Sequence, residues 1–413
     1  MPRGWFDHVV TTNAPTPTRH VGLALLALSL GGFAIGTTEF VTMGLLKEIA
    51  DGIDVSIPTA GHIITAYAFG VVVGAPLIVS LAARLPRKAL VVGLALAIGV
   101  FNGLTAVVDG YLPVMVVRFL AGLPHGAYFG VAALVASSLV APERRARAIS
   151  MVMMGLSVAT VVGVPASTWL GQALGWRSAY VLVLGVAVAA ALSIAVFVPH
   201  QPADTSASLG RELRALRRPQ VHLAAAAGSV GFAGMFAMYS YISPIVTDVT
   251  DLSKGAIPWF LLAFGLGSLV GTWVAGPLTD RSVNGTVLLG MGGMAVLLLA
   301  LWPVMTWAVP TFLLVFLVAA FGSLVAISLQ VRLMHAAGDA EMLGAALNHS
   351  ALNVANGLGA WLGSIVIAAG WGYRAPTLVG AALAAGGIAI FLVGVRVERT
   401  ALAREADGVP QPA

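Results

Sequence analysis

Two shortages define this chain: it has no cysteine, and only 9% of its 413 residues are charged. Without thiols, disulfides, thiolate nucleophiles and cysteine-ligated metals are excluded. Soluble domains carry about 25% charged residues. With 59% hydrophobic residues and a mean hydropathy of +0.94, this chain would expose far too much apolar surface to water. Lipid is the expected solvent. Catalytic signatures are missing too. The sequence contains no H-E-x-x-H, no G-x-S-x-G and no G-x-x-x-x-G-K-[ST]. Nothing therefore supports an enzyme, a metal, a bound cofactor or direct ATP drive.

What is present is a series of apolar runs of spanning length. They fall near 21–46, 57–82, 88–108, 112–139, 148–170 and 176–198. After the polar stretch HQPADTSASLGRELRALRRPQ they resume near 221–245, 256–279, 285–305, 309–331, 343–369 and 376–395. The expected fold is an all-α membrane protein of twelve transmembrane helices in two pseudo-symmetric six-helix bundles. The expected division is an N-terminal arm (1–20), a first bundle (21–198), a central loop (199–220), a second bundle (221–395) and a tail (396–413). The arm lacks a signal-peptide cleavage pattern and is expected to precede an uncleaved first span. A short surface helix is expected around 208–218.

The basic residues orient the chain. One set of loops and tails carries 17 of them, among them Arg84, Arg87, Lys88, Arg144, Arg145, Arg147, Arg218, Arg281 and Arg332. The opposite set carries only Lys47, Arg177, Lys254 and Arg374. The positive-inside rule then places both termini in the cytoplasm. It also accounts for the net charge of +5 without nucleic acid.

The halves resemble each other. GAPLIVSLAARLPRKAL follows span two, and GTWVAGPLTDRSVNG follows span eight nearly two hundred residues later. LGQALGWRSA closes span five and LGSIVIAAGWGYRAP closes span eleven at a similar offset. Tandem six-span halves place a substrate site between them near the bilayer midplane.

On GTTEFVTMGLL, RFLAGLPHGAYFG, GLSVATVVGVPASTWLGQALGWR and NHSALNVANGLGAWLG, the chain resembles the major facilitator superfamily over nearly its whole length. More narrowly it resembles the twelve-span drug:proton antiporters of the arabinose-efflux-like and chloramphenicol-exporter branch. The resemblance implies alternating-access export of a small molecule in exchange for protons, with an acidic residue of span one in the transport cavity. It also implies a span-four arginine linked to proton transfer, and a cytoplasmic gate at Arg84, Arg87 and Lys88 with its second-half copy at Asp280 and Arg281. In the first-half copy Ala83 stands where the family usually has an acid. Drug-like or amphipathic compounds such as chloramphenicol-type antibiotics are the expected cargo. Efflux of sugars or nucleosides is the alternative, and a ligand-binding membrane sensor the reading outside transport. The chain is expected to work as a monomer.

Glu39 is the acid well inside a span. A carboxylate in hydrocarbon costs roughly 2.5–3.5 kcal/mol on insertion scales, so it faces a cavity or a partner. Arg118 is the basic residue inside a span. Glu39 precedes the outer end of its helix by seven residues, and Arg118 follows the outer start of its own by six. At 1.5 Å per residue both lie about 10 Å deep. An acid near a cation in that setting is suited to exchanging protons.

His62, near that depth, and His125, seven residues beyond Arg118 on the same face, are candidate proton-coupling groups. Each reads equally as a packing histidine. Gly122, Gly126 and Gly130 form a small-residue stripe for helix packing. His349, Asn353 and Asn356 make one polar face of span eleven, lining a substrate path or bonding neighbouring helices. Phe232, Phe236 and Tyr239 make an aromatic face of span seven suited to a flat substrate, or to packing.

Overall fold

The computed structural model describes residues 20–82, 85–201, 218–338 and 341–406. Twelve helices among them are long and apolar enough to cross a membrane. They are Val21–Gly44, Ile57–Ala82, Arg87–Val107, Tyr111–Ser138, Pro142–Leu174 and Arg177–Phe197 in the first half. Pro219–Tyr239, Ile257–Arg281, Val283–Val304, Ala308–Ala337, Glu341–Val366 and Ala375–Ala406 make up the second. They are referred to below as spans one to twelve. Helices are the required solution, because in lipid every backbone N–H and C=O must find its partner within the segment. Among the described residues there is no strand. Arg84 and residues 208–217 of the expected surface helix lie outside the described residues.

Local chemistry sets the interruptions. Span five contains a π-helical turn at Ala159–Gly163, just before Pro165. Proline cannot donate to the carbonyl four residues back, and a wider turn absorbs the mismatch. Spans one and seven each break at the end away from the termini and continue as short helical pieces, Leu46–Gly52 and Ile242–Pro244. Gly175 closes span five with φ +91°, a conformation that favours glycine.

The duplication is visible in the packing. A Cβ on Gly70 would lie 2.1 Å from the Phe119 carbonyl oxygen, and one on Gly74 2.2 Å from that of Leu123. In the second half, Gly267 meets the Phe316 carbonyl at 2.1 Å and Gly271 that of Ala320 at 2.2 Å in the same sense. Each residue of the first set is 197 positions from its counterpart. Spans two and four thus approach as spans eight and ten do, through small-residue contacts that bring the backbones together. The Gly122–Gly130 stripe acts only in part. Gly122 is pressed against the Tyr67 carbonyl, whereas a Cβ on Gly130 would meet nothing.

Several bounds differ from expectation. Span ten runs on to Ala337 and span twelve to Ala406. Arg332, expected in a loop, therefore lies within a helix and is 8% exposed. It is held by both oxygens of Glu398, at 3.0 and 2.7 Å. Arg118 is thus not alone as a buried helical base. The apolar run ends at residue 331, but the Arg332–Glu398 pair and the Gln220 amide let the helix continue.

The two halves meet along two seams, where span two packs on span eleven and span five on span eight. At the end away from the termini the seam is closed. Lys47 Nζ reaches Asp248 Oδ1 at 2.5 Å and donates to Thr247 Oγ1 at 3.2 Å. Gln172 donates to the Lys254 carbonyl at 2.9 Å.

Candidate functional site between the halves

Glu39 lies on span one, buried where that span meets the second half, 7% exposed. Asn356 of span eleven, fully buried, donates Nδ2 to Glu39 Oε1 at 3.3 Å. The expected inward-facing position is therefore met, and the partner is an amide from the opposite half. Phe40 follows on the same span. Its ring stacks on Phe236 at 6.3 Å and meets Tyr239 edge-on at 6.1 Å. Phe232 lies against Phe236 at 5.4 Å, and Tyr239 stacks on Phe264 at 3.6 Å. The span-seven aromatics are buried, packed against span one at the level of the carboxyl. Sequence reasoning missed Phe40, an apolar residue in an apolar run. Its one signal is adjacency to Glu39.

Arg118 does not pair with Glu39. Its Nη1 donates to Thr38 Oγ1 at 2.9 Å, and its Nη2 to the Thr38 carbonyl at 3.2 Å and Thr42 Oγ1 at 3.3 Å. The guanidinium lies over the Tyr67 ring at 4.4 Å and near the Tyr180 ring at 5.3 Å. Thr38 in turn donates to Asn102 Oδ1 at 2.5 Å, and Thr42 and Tyr180 share a 2.8 Å hydrogen bond. Spans one, two, three, four and six are thereby tied around one buried cation. Arg118 reaches the level of Glu39, but consecutive residues of a helix point about 100° apart. Thr38 faces the interior of its own half and Glu39 faces the other half.

His125 shares a 3.0 Å hydrogen bond between Nδ1 and the Tyr67 hydroxyl, and its ring meets Phe129 edge-on at 5.5 Å. His349, across the seam, stacks on the same Phe129 at 5.6 Å. The two histidines thus flank one ring from opposite halves. Asn353 spends its Nδ2 on the His349 carbonyl of its own helix, at 3.0 Å. His62 stands apart from these groups. It bonds the Tyr111 hydroxyl at 3.0 Å and lines a side groove of about 510 Å³ with Phe69, Phe119 and Trp361.

The described residues of the expected gate, Arg87, Lys88, Asp280 and Arg281, lie at the termini-bearing end. Asp280 and Arg281 are exposed there at the end of span eight, and Arg87 and Lys88 are half-buried at the start of span three. An ion pair that joins the halves, Lys47–Asp248, lies at the opposite end and was not foreseen. Beside it Glu48 is half-buried, its carboxyl pushed above the ordinary 4.5 by burial. No cluster of three or more metal-ligating side chains occurs among the described residues.

A family model described as Major Facilitator Superfamily matches residues 28–345. The inner membrane transport protein YdhP of Escherichia coli (strain K12) is 39% identical over 384 residues, covering 90% of this chain and 95% of that protein. A chloramphenicol resistance protein of Streptomyces lividans is 32% identical over 364 residues, covering 86% and 91%. A bacterial homolog of the human lysosomal transporter Spinster, solved inward-facing and unoccupied, matches with TM-score 0.71 over 92% of this chain and 98% of its own. At 15% identity that match speaks for the fold.

Proposed function

The chain belongs to the Major Facilitator Superfamily, a transporter and not an enzyme, and from that premise we propose that it exports a small amphipathic molecule in exchange for protons. One observation carries the reading. The buried carboxyl of span one sits where the two halves meet, hydrogen-bonded by the opposite half. A transporter works by letting cargo and driving ion bias two arrangements of the same halves differently. A proton on Glu39 changes the charge of a group that both halves touch.

With both termini in the cytoplasm of a bacterial inner membrane, the end closed by Lys47–Asp248 faces outward. This arrangement then receives cargo from the cytoplasm. Rocking of the halves releases it outside, where Glu39 takes up a proton for the return. Phe40, Phe236 and Tyr239 beside the carboxyl favour an aromatic or amphipathic cargo. The similarity to a chloramphenicol resistance protein points the same way. Sugar efflux is the second reading, favoured by the polar face of His349, Asn353 and Asn356.

Reconstituted vesicles with an imposed pH gradient separate the two readings. Uphill movement of labelled chloramphenicol that collapses with the gradient is expected. Uphill movement of pentoses and not of chloramphenicol favours the second reading. Downhill movement indifferent to the gradient contradicts proton coupling.

A further inference from the structure

Asn356 has a feature that a simple cargo contact does not need. Its Nδ2 donates to Glu39, while its Oδ1, also buried, has no protein partner. An amide offers two donors and an acceptor. Glu39 offers only acceptors when ionised, and gains a donor when protonated. The same two side chains can therefore bond in either state. The ionised carboxyl accepts from the amide N–H, whereas the protonated carboxyl donates its O–H to the amide oxygen. The first bond is charge-assisted and roughly twice as strong as the second. The groups that face Glu39 are Tyr67 of span two, Arg118 of span four, Tyr239 of span seven and Asn356. Arg118 is fixed to Thr38 and Thr42 of span one, and Tyr67 also belongs to the first half. Asn356 alone among these bonds the carboxyl from the second half.

We propose that Asn356 is the lock that keeps the empty, ionised carrier from changing conformation, tying span eleven to span one until cargo or a proton loosens it. The proposal rests on Glu39 being the proton site. Exchange transport has a strict requirement: a carrier that switches both protonated and empty lets protons run through without cargo. The strong bond formed by ionised Glu39 holds the halves in the outward-closed arrangement seen here. Once cargo has carried the halves to the outward-open arrangement, protonation from water on the outer side leaves only the weaker bond, and the neutral carrier returns. Release to water on the cytoplasmic side restores the strong bond. No bond within Asn356 is made or broken, so it acts as a positioning residue through Glu39.

The test needs only protons. Vesicles containing the full chain, a trapped pH dye and no cargo are given a pH step. The wild type should be tight. Asn356→Leu, which removes both donor and acceptor, should leak protons on the order of tenfold faster. Asn356→Gln, which keeps both, should remain nearer the wild type than the Leu variant. Glu39→Gln combined with Asn356→Leu should be tight again, which general damage to the fold would not produce. If the Leu variant fails to insert, Asn356→Ser, too short to reach the carboxyl, takes its place with the same expectation. A tight Leu or Ser variant overturns the lock. A leak that persists in the double variant removes Glu39 from the proton path and so overturns the reading beneath it.

Discussion

Arg118 bonds the hydroxyl and the carbonyl of Thr38, one residue short of Glu39. The two charges share a depth in the membrane and belong to different networks. The arginine organises the first half internally. The carboxyl faces the second.

Lysine should therefore be a poor replacement for Arg118. A planar fork making three hydrogen bonds and lying over two rings is not reproduced by one ammonium. Loss of a hydrogen bond to a charged group costs about 1.5–3 kcal/mol. Arg118→Lys should lower the thermal unfolding midpoint in detergent nearly as far as Arg118→Ala. A Lys variant as stable as the wild type would show that only the charge matters.

Lys47 and Asp248 should bias the conformational equilibrium modestly. Each is 32% exposed, so the pair is worth about 0.5–1 kcal/mol, a two- to fivefold change in ratio. Since the chain has no native cysteine, Asp51→Cys and Lys254→Cys give two unique spin-label sites across the seam. Lys47→Ala should raise the long-distance population by that factor. Exchanging the two residues should restore it, and added salt should weaken the difference. An unchanged distance distribution in Lys47→Ala contradicts the latch.

The glycines separate close approach from mere repetition. Gly122→Ala pushes a Cβ to 2.2 Å from the Tyr67 carbonyl, and Gly267→Ala to 2.1 Å from that of Phe316. Both obstacles are backbone, and overpacking costs about 1–3 kcal/mol. Gly130→Ala meets nothing and should stay within about 0.5 kcal/mol of the wild type. Unfolding midpoints of the three variants check the ranking. Equal effects at Gly122 and Gly130 would contradict the packing account.

The twelve spans and the duplication were legible because lipid imposes length and apolarity on every crossing. Glu39 was legible for the same reason, a charge that stands out against hydrocarbon. Residue counts brought Arg118 level with Glu39 but left open whether the two bond, since azimuth relative to a distant helix is not readable from counts; the bonds go to Thr38 and Thr42. Asn356 was singled out as one of three polar residues on a face, yet nothing in a single helix says which of them meets Glu39, 317 positions away. The Lys47–Asp248 contact spans 201 positions, and nothing in either residue's local sequence points to the other. Arg332 looked like a loop cation because its partner Glu398 lies two spans further on. Such long-range pairings are products of tertiary packing and leave no local pattern.

The central claim is that a proton on Glu39 drives the exchange. It is tested most directly by comparing two fluxes of the Glu39→Gln protein in vesicles, with labelled chloramphenicol as cargo. Glutamine mimics the neutral acid and cannot release a proton. The account predicts that exchange of cargo across the membrane without a pH gradient persists, while uphill accumulation driven by the gradient disappears. Uphill accumulation by Glu39→Gln at the wild-type level would contradict it.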